Sequence, residues 1–363
     1  MAMAGSDPKT PGTIRVLVCD DSLVAREMLV QILSSDPGIE VVGECANGRE
    51  AVKRTAELLP DLVTMDIHMP VMDGVTAVEQ IMAYSPTPIL VVSSSVHGEG
   101  VGMAFDALSA GALEVMKKPE PIDWADLGRI GRQIIRTVKI LSRVPVVTHV
   151  RGKTHAARPV PAGGSRRLVP RSPGGVSLVA IGSSTGGPSA LAAVLGALPS
   201  KLPVPVLVAQ HIAEGFVSGL VEWLDANCAI AVAEARDGEE LEPGCAYFAP
   251  TSHNAAVEGL TMRFVEKGRR QLYVPSADIL FASVAAEHRE HGLGVLLTGM
   301  GADGADGLRL MRDTGATTIA QDEVTSVVWG MPRAAVEAEA ASVVLPLLEI
   351  GPRVASLVAG RKG

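Results

Sequence analysis

Aromatic residues are scarce in this chain. They make up 3% of its 363 positions. Its cores must therefore come from Val, Leu, Ile, Ala and Met, and an apolar content of 47% is ample for two of them. Cysteine is equally sparse. Cys19, Cys45, Cys228 and Cys245 form no CxxC pair, which fits reduced, cytosolic thiols with packing roles. No apolar run approaches the ~20 residues that span a bilayer, so membrane insertion is excluded. Positive charge is not in excess. The net charge of −8 argues against general nucleic-acid binding. Residues 1–13 hold no apolar stretch of signal-peptide type and read as a disordered tail of small and polar residues.

At roughly 100–200 residues per domain, the length predicts two domains. From Ile14 to about Ser142, apolar runs alternate with helical patterns. The strand-like runs are Ile14–Cys19, Ile39–Gly43, Leu62–Met65, Ile89–Val92 and Leu113–Met116. Five βα units predict a parallel sheet covered on both faces, with ligands at the carboxyl ends of the strands. Residues 143–175 break the pattern. They are rich in Pro and Gly, hold seven Arg or Lys and lack Asp and Glu, a composition expected of a flexible tether. A basic docking strip for an acidic partner is the alternative. Alternation resumes over 176–363. The expected strands there are Val176–Ile181, Val204–Ala209, Ala246–Ala249, Leu293–Thr298 and Thr317–Ala320, with a hairpin from Asn254–Val257 and Met262–Val265.

Acidic residues gather at strand ends in the first half. Asp20 and Asp21 follow the first strand and Asp66 the third; Ser93 ends the fourth, and Lys118 follows the fifth, before Pro119. Converging carboxylates repel unless a cation joins them, and carboxylates plus water suit octahedral Mg²⁺. Asp20 and Asp21 could alternatively cap the next helix. Over residues 14–140 the five positions together resemble the response-regulator receiver domain of two-component signalling. That resemblance implies a flavodoxin-like (βα)5 fold and Asp66 as phosphoacceptor. It further implies Mg²⁺ on Asp20, Asp21 and Asp66, Ser93 as the switch hydroxyl and Lys118 as the phosphate-binding lysine.

The second half carries Gly182-Ser183-Ser184-Thr185-Gly186-Gly187 directly after an apolar run and before Pro188. A glycine-framed serine between strand and helix fits a nucleophile turn; an anion nest at a helix N-terminus is the competing reading. A nucleophilic serine needs a base and an orienting acid. His211 and Asp303 follow expected strands and could meet Ser184 at one sheet edge. His253 is a rival base; Asp306 and Asp322 are rival acids. Asp303 could instead cap the helix beginning at Gly304. The order Ser, His, Asp differs from that of α/β-hydrolases.

Several segments occur in a telling order: Ile181–Gly187, Gln210-His211, Ala249-Pro250 with His253, Ser276–Phe281, Leu297–Gly304, Ala320–Glu323 and Gly330–Arg333. Together they resemble the catalytic domain of the chemotaxis protein-glutamate methylesterase family, CheB, which joins a receiver to this domain through a linker. The family resemblance implies a triad of Ser184, His211 and Asp303 and a mainly parallel α/β hydrolytic domain. It implies hydrolysis of glutamate γ-methyl esters on chemoreceptors with release of methanol, and deamidation of receptor glutamines. The phosphodonor would be the histidine kinase of the chemotaxis system, and the location cytoplasmic. Hydrolysis would need no cofactor. Thr185 and Met300 N–H groups are the expected oxyanion donors. Ser183 stands where the family usually has Ala, which puts a second hydroxyl beside the nucleophile; Ala302 and Thr251 replace a usual Asn and Gly. The alternative from a different class is a receiver-linked binding module that uses the glycine loop as an anion or partner site without chemistry.

Overall fold

The computed structural model describes residues 12–94, 99–119, 124–146, 175–268, 271 and 273–360. The expected tail at 1–13 and tether at 143–175 lie mostly outside the described residues. The chain divides into two compact units, one of residues 1–95 with 106–151, the other of 152–363 with 96–105.

Residues 14–141 alternate strand and helix: β1 Ile14–Cys19, α1 Leu23–Ser34, β2 Ile39–Cys45, α2 Gly48–Leu58, β3 Leu62–Met65, α3 Gly74–Tyr84, β4 Ile89–Ser93, α4 Glu99–Ser109, β5 Glu114–Lys117 and α5 Trp124–Leu141. The sheet is parallel, in the order β2-β1-β3-β4-β5. β3 and β4 are buried along their whole length, as strands covered on both faces must be. Side-chain caps fix where helices begin. Ser22, Asn47 and Asp73 accept from the N–H groups of Ala25, Glu50 and Thr76, satisfying donors the first helical turn leaves open. Ser22 thus takes the capping role considered for Asp20 and Asp21. At α3 the helix start lies so close to Asp66 that a Cβ on Gly74 would run into the Asp66 carbonyl oxygen.

The second unit comprises β6 Leu178–Ser183, α6 Gly187–Gly196, β7 Val206–Gln210, α7 Val217–Asn227, β8 Ala231–Glu234, β9 Cys245–Phe248, β10 Asn254–Glu258, β11 Thr261–Val265, α8 Ala277–His288, β12 Gly292–Leu296, α9 Ala305–Asp313, β13 Thr317–Gln321, α10 Met331–Glu337, β14 Val343–Leu345 and α11 Leu347–Ala359. Seven strands form a parallel sheet in the order β14-β13-β12-β6-β7-β9-β8. β10 and β11 form the expected antiparallel hairpin. β8 and β14, which are not among the expected strands, are the two sheet edges. Both are short and partly exposed, so neither carries the continuous apolar run that marks β6, β7 and β12. Those three strands sit side by side near the middle of the sheet.

Candidate active site

In the register of the sheet, Ser183 on β6 pairs with Gln210 on β7. The next residues, Ser184 and His211, therefore leave neighbouring strands together, and parallel strands lie about 4.8 Å apart. On the other side of β6, Gly182 pairs with Leu296 of β12, and the loop after β12 carries Asp303. Ser184 N donates to Thr298 O at 3.0 Å and His211 N to Ser183 O at 2.9 Å, which extends the ladder one step beyond the strands.

The glycines around Ser184 meet different demands. Gly186 has φ +74°, a left-handed backbone in which other residues are strained. A Cβ on it would also lie 2.6 Å from Val327 Cβ. Gly182 instead admits close packing, since its Cβ would meet Ala277 Cβ at 2.7 Å.

His211 Nε2 lies 2.8 Å from Asp303 Oδ2, and both side chains are more than nine-tenths buried. Nδ1 of the same ring is buried and has no hydrogen-bond partner among the described residues. Asp303 is held from several sides. Ser276 Oγ donates to Oδ1 at 2.7 Å, Ala277 N to Oδ2 at 2.7 Å, and Asp278 N to Oδ1 at 3.3 Å. Those donors form the N-terminus of α8, so Asp303 sits at the positive end of a helix dipole. Burial alone would raise its pKa. The bonds from His211, Ser276 and Ala277 outweigh it and bring the carboxyl below its usual value. Asp278, one residue into the same helix turn, goes the other way. Burial and the neighbouring Asp303 charge push it up to about 6, against the opposing hydrogen bond from Gly307 N.

The rival residues have other tasks. Asp303 does not cap the helix beyond Gly304; its carboxylate caps α8. His253 Nδ1 is 2.9 Å from Ser252 Oγ, and its ring stacks on Phe264. Asp322 accepts from Thr325 N at 3.0 Å and from Thr325 Oγ1, a local turn, and Asp306 is exposed in the first turn of α9. Among the described residues neither Thr185 N nor Met300 N donates a hydrogen bond. Three neighbours join the site that were not among its expected residues. Tyr273 stacks on the His211 ring, with centroids 4.6 Å apart and planes at 5°. Ser276 supports Asp303 and could have been found as the cap of an apolar helix. Thr298 Oγ1 donates to Thr185 O at 2.9 Å.

In the first unit the strand-end residues also converge. Lys118 Nζ reaches Asp20 Oδ2 at 2.8 Å and Asp66 Oδ2 at 2.9 Å. Asp66 Oδ1 accepts from Ile67 N at 2.8 Å, and Lys118 N donates to Ser93 O at 2.9 Å. Asp20, Asp66, Ser93 and Lys118 are buried, whereas Asp21 is exposed. Burial raises the Asp20 pKa, with Asp66 adding to the rise and Lys118 opposing it. Burial would lower the Lys118 pKa, but its two carboxylate partners more than reverse this and raise it.

Two family models match this chain. One, the response regulator receiver domain, covers residues 16–125, and the other, CheB methylesterase, covers 179–354. A protein of Anaeromyxobacter dehalogenans (strain 2CP-C), protein-glutamate methylesterase/protein-glutamine glutaminase 2, is 43% identical over 96% of this chain and 97% of its own length. The chain belongs to the CheB family. Another member, the protein-glutamate methylesterase/protein-glutamine glutaminase of Nitrosospira multiformis, is 43% identical over 96% of this chain and 98% of its own. The crystal structure of the Thermotoga maritima CheB methylesterase catalytic domain matches with 35% identity and a TM-score of 0.48, over 50% of this chain and 99% of that one. These relatives are named for ester and amide hydrolysis, which favours an enzyme over a module whose glycine loop merely binds an anion.

The receiver indicates regulation by phosphorylation and suggests Mg²⁺. The residues present fit that ion. Ligand atoms of Asp20, Asp21 and Asp66 all lie within 4.8 Å of one another. Three carboxylates against the one Lys118 ammonium leave two negative charges, which a divalent cation offsets. No helix among the described residues is long and apolar enough to cross a membrane.

Proposed function

We propose that this chain hydrolyses glutamate γ-methyl esters on methyl-accepting chemotaxis receptors, releasing methanol, and deamidates receptor glutamines, under control of phosphorylation at Asp66. The observation that carries the reading is the buried Asp303–His211 pair at the strand end beside Ser184, in a chain whose relatives bear these activities in their names. Residues 14–142 serve as the receiver, 143–175 as the tether and 176–363 as the methylesterase domain. The site of action is the cytoplasm, and the phosphodonor is the histidine kinase of the chemotaxis system.

Ser184 Oγ attacks the γ-carbonyl carbon while His211 Nδ1, the ring nitrogen left free by Asp303, takes the hydroxyl proton. The ring is then an imidazolium between a carboxylate and the reacting atoms. Asp303 stabilises it and holds its Nε2–H. Negative charge developing on the carbonyl oxygen is met by the Thr185 and Met300 N–H groups, which have no other acceptor among the described residues; one such donor is worth about 2.7–4 kcal/mol. His211 returns the proton to the departing methoxide, or to the amide nitrogen of a glutamine, which leaves as ammonia. It then accepts one from the water that cleaves the acyl-enzyme.

In the receiver, Asp66 accepts the phosphoryl group. Lys118 and Ser93 meet its oxygens, and Asp20, Asp21 and Asp66 hold Mg²⁺, which when bound neutralises charge building up on the phosphoryl oxygens. The test is methanol release from methylated receptors with a small acyl phosphate as donor. Wild type is expected to turn over and to be stimulated by the donor, and Ser184→Ala to lose at least ~10³-fold. A Ser184→Ala variant that keeps most of the turnover would refute the mechanism.

A further inference from the structure

Ser183 puts a second hydroxyl beside the nucleophile. It is fully buried, and its Oγ donates to Gln210 Oε1 at 2.6 Å, so its proton is committed away from any substrate. The acceptor is equally committed. Gln210 is 2% exposed, and its Nε2 donates to Ser184 O at 2.9 Å and to His211 O at 2.7 Å. Two carbonyls face that amide nitrogen, so only one orientation of the side chain avoids oxygen facing oxygen. The Ser183 hydroxyl then satisfies the remaining end, which would otherwise be a buried acceptor without a partner.

The amide occupies the place where the β6–β7 ladder stops. Beyond His211 N→Ser183 O, the two segments diverge, one into the Gly186 turn and the other into the loop before α7. Gln210 bridges the gap with side-chain bonds to the backbone of both residues. The turn closes round it: a Cβ on Gly187 would collide with Gln210 Oε1, and Gly187 N donates to Ser184 O at 2.7 Å. Ser184 O is thus held by two donors, one from the Gly186 turn and one from the end of β7.

We propose that Ser183 and Gln210 form a positioning clamp that sets the spacing and orientation of Ser184 relative to His211. The inference rests on reading those two residues as nucleophile and base. Neither Ser183 nor Gln210 touches substrate; both act through the backbone of the pair. Displacement of reacting groups by about 1 Å can lower a rate by about 10²-fold, so the expected signature is a fall in kcat with KM unchanged.

The experiment measures kcat and KM for methanol release by the full-length, donor-stimulated protein on methylated receptors, with the thermal midpoint of each variant recorded. Ser183→Ala, which only removes an atom, is expected to lower kcat by about 5–10-fold. Gln210→Met, similar in length but without donors, is expected to lower it by about 10²-fold. The double variant should match Gln210→Met within about twofold, because both changes disable one device. Ser184→Ala runs alongside. If it retains turnover, the reading of the site fails. If it is inactive while Ser183→Ala keeps wild-type kcat and loses only thermal stability, the clamp is overturned and the site stands. Independent losses that multiply in the double variant would also overturn it. Should Gln210→Met not fold, Ser183→Ala decides alone.

Discussion

Asp66 and Asp303 stand in similar places, each buried past the end of a parallel strand with a second carboxylate at hand. Asp20 accompanies Asp66, and Asp278 accompanies Asp303. What balances the pairs differs. In the first unit one ammonium, Lys118, reaches both carboxylates. In the second, the partners are dipoles: the N-terminus of α8 for Asp303 and the Gly307 N–H for Asp278, with the His211 ring against Asp303 Oδ2. A full counter-charge on a flexible stem can follow a charge that is added and removed, as a phosphoryl group is. Fixed dipoles hold one carboxylate charged while its neighbour gains and loses a proton. The two pockets differ as a switch differs from a stationary electrode.

That contrast can be broken by exchanging what each acid relies on. The largest effect is expected from Asp303→Asn, which keeps the shape but presents an amide to the ring; methanol release should fall by about 10⁴-fold. Asp66→Asn should leave the unstimulated rate within about twofold and abolish the response to a phosphodonor. Equal loss in both variants would mean the acids are not doing different work. Next comes Lys118→Met. Removing the cation leaves Asp20 and Asp66 buried and unbalanced, so urea unfolding of the receiver should show a loss of about 3–5 kcal/mol. If the carboxylates relaxed into solvent, the loss would be under 1 kcal/mol or so.

A smaller effect tests the companion acid. The Asp278 pKa is raised from 3.8 to about 6 in the folded protein. A raised acid favours the fold most below its unfolded value, and this contribution declines as pH rises through the folded one. Asp278→Asn should therefore raise the thermal midpoint at pH near 7.5 by roughly 2–4 °C, about 1 kcal/mol, and give no gain near pH 4. The smallest effect has the opposite sign. Asp303 is lowered from 3.8, so it stabilises above that value and loses its contribution as pH falls through the lower folded one. The stability difference between wild type and Asp303→Asn should shrink with acid below about pH 4. A difference that grew would contradict the dipole account.

Much of this was legible in the chain itself. The receiver residues stand out because each follows an apolar run, and a run ending in Asp, Ser or Lys marks a strand end whatever the tertiary contacts. Ser184 stands out through its glycines. The sequence also yielded the central strands, because full burial demands an unbroken apolar run. It did not yield edge strands β8 and β14, since a half-exposed strand of three or four residues has no such signature. Nor could it say which imidazole nitrogen meets Asp303, because ring orientation follows from the position of α8. Tyr273 and Gln210 were invisible as site residues for a similar reason. Their roles depend on what lies beside them across the fold, and no spacing in the chain encodes that.

The central place of β6, β7 and β12 in the seven-stranded sheet has a kinetic consequence. Residues from distant parts of the chain must pair as β6–β12 before Asp303 can meet His211, and such long-range parallel pairing is slow. Regain of hydrolysis after dilution from urea should therefore trail the regain of helical signal.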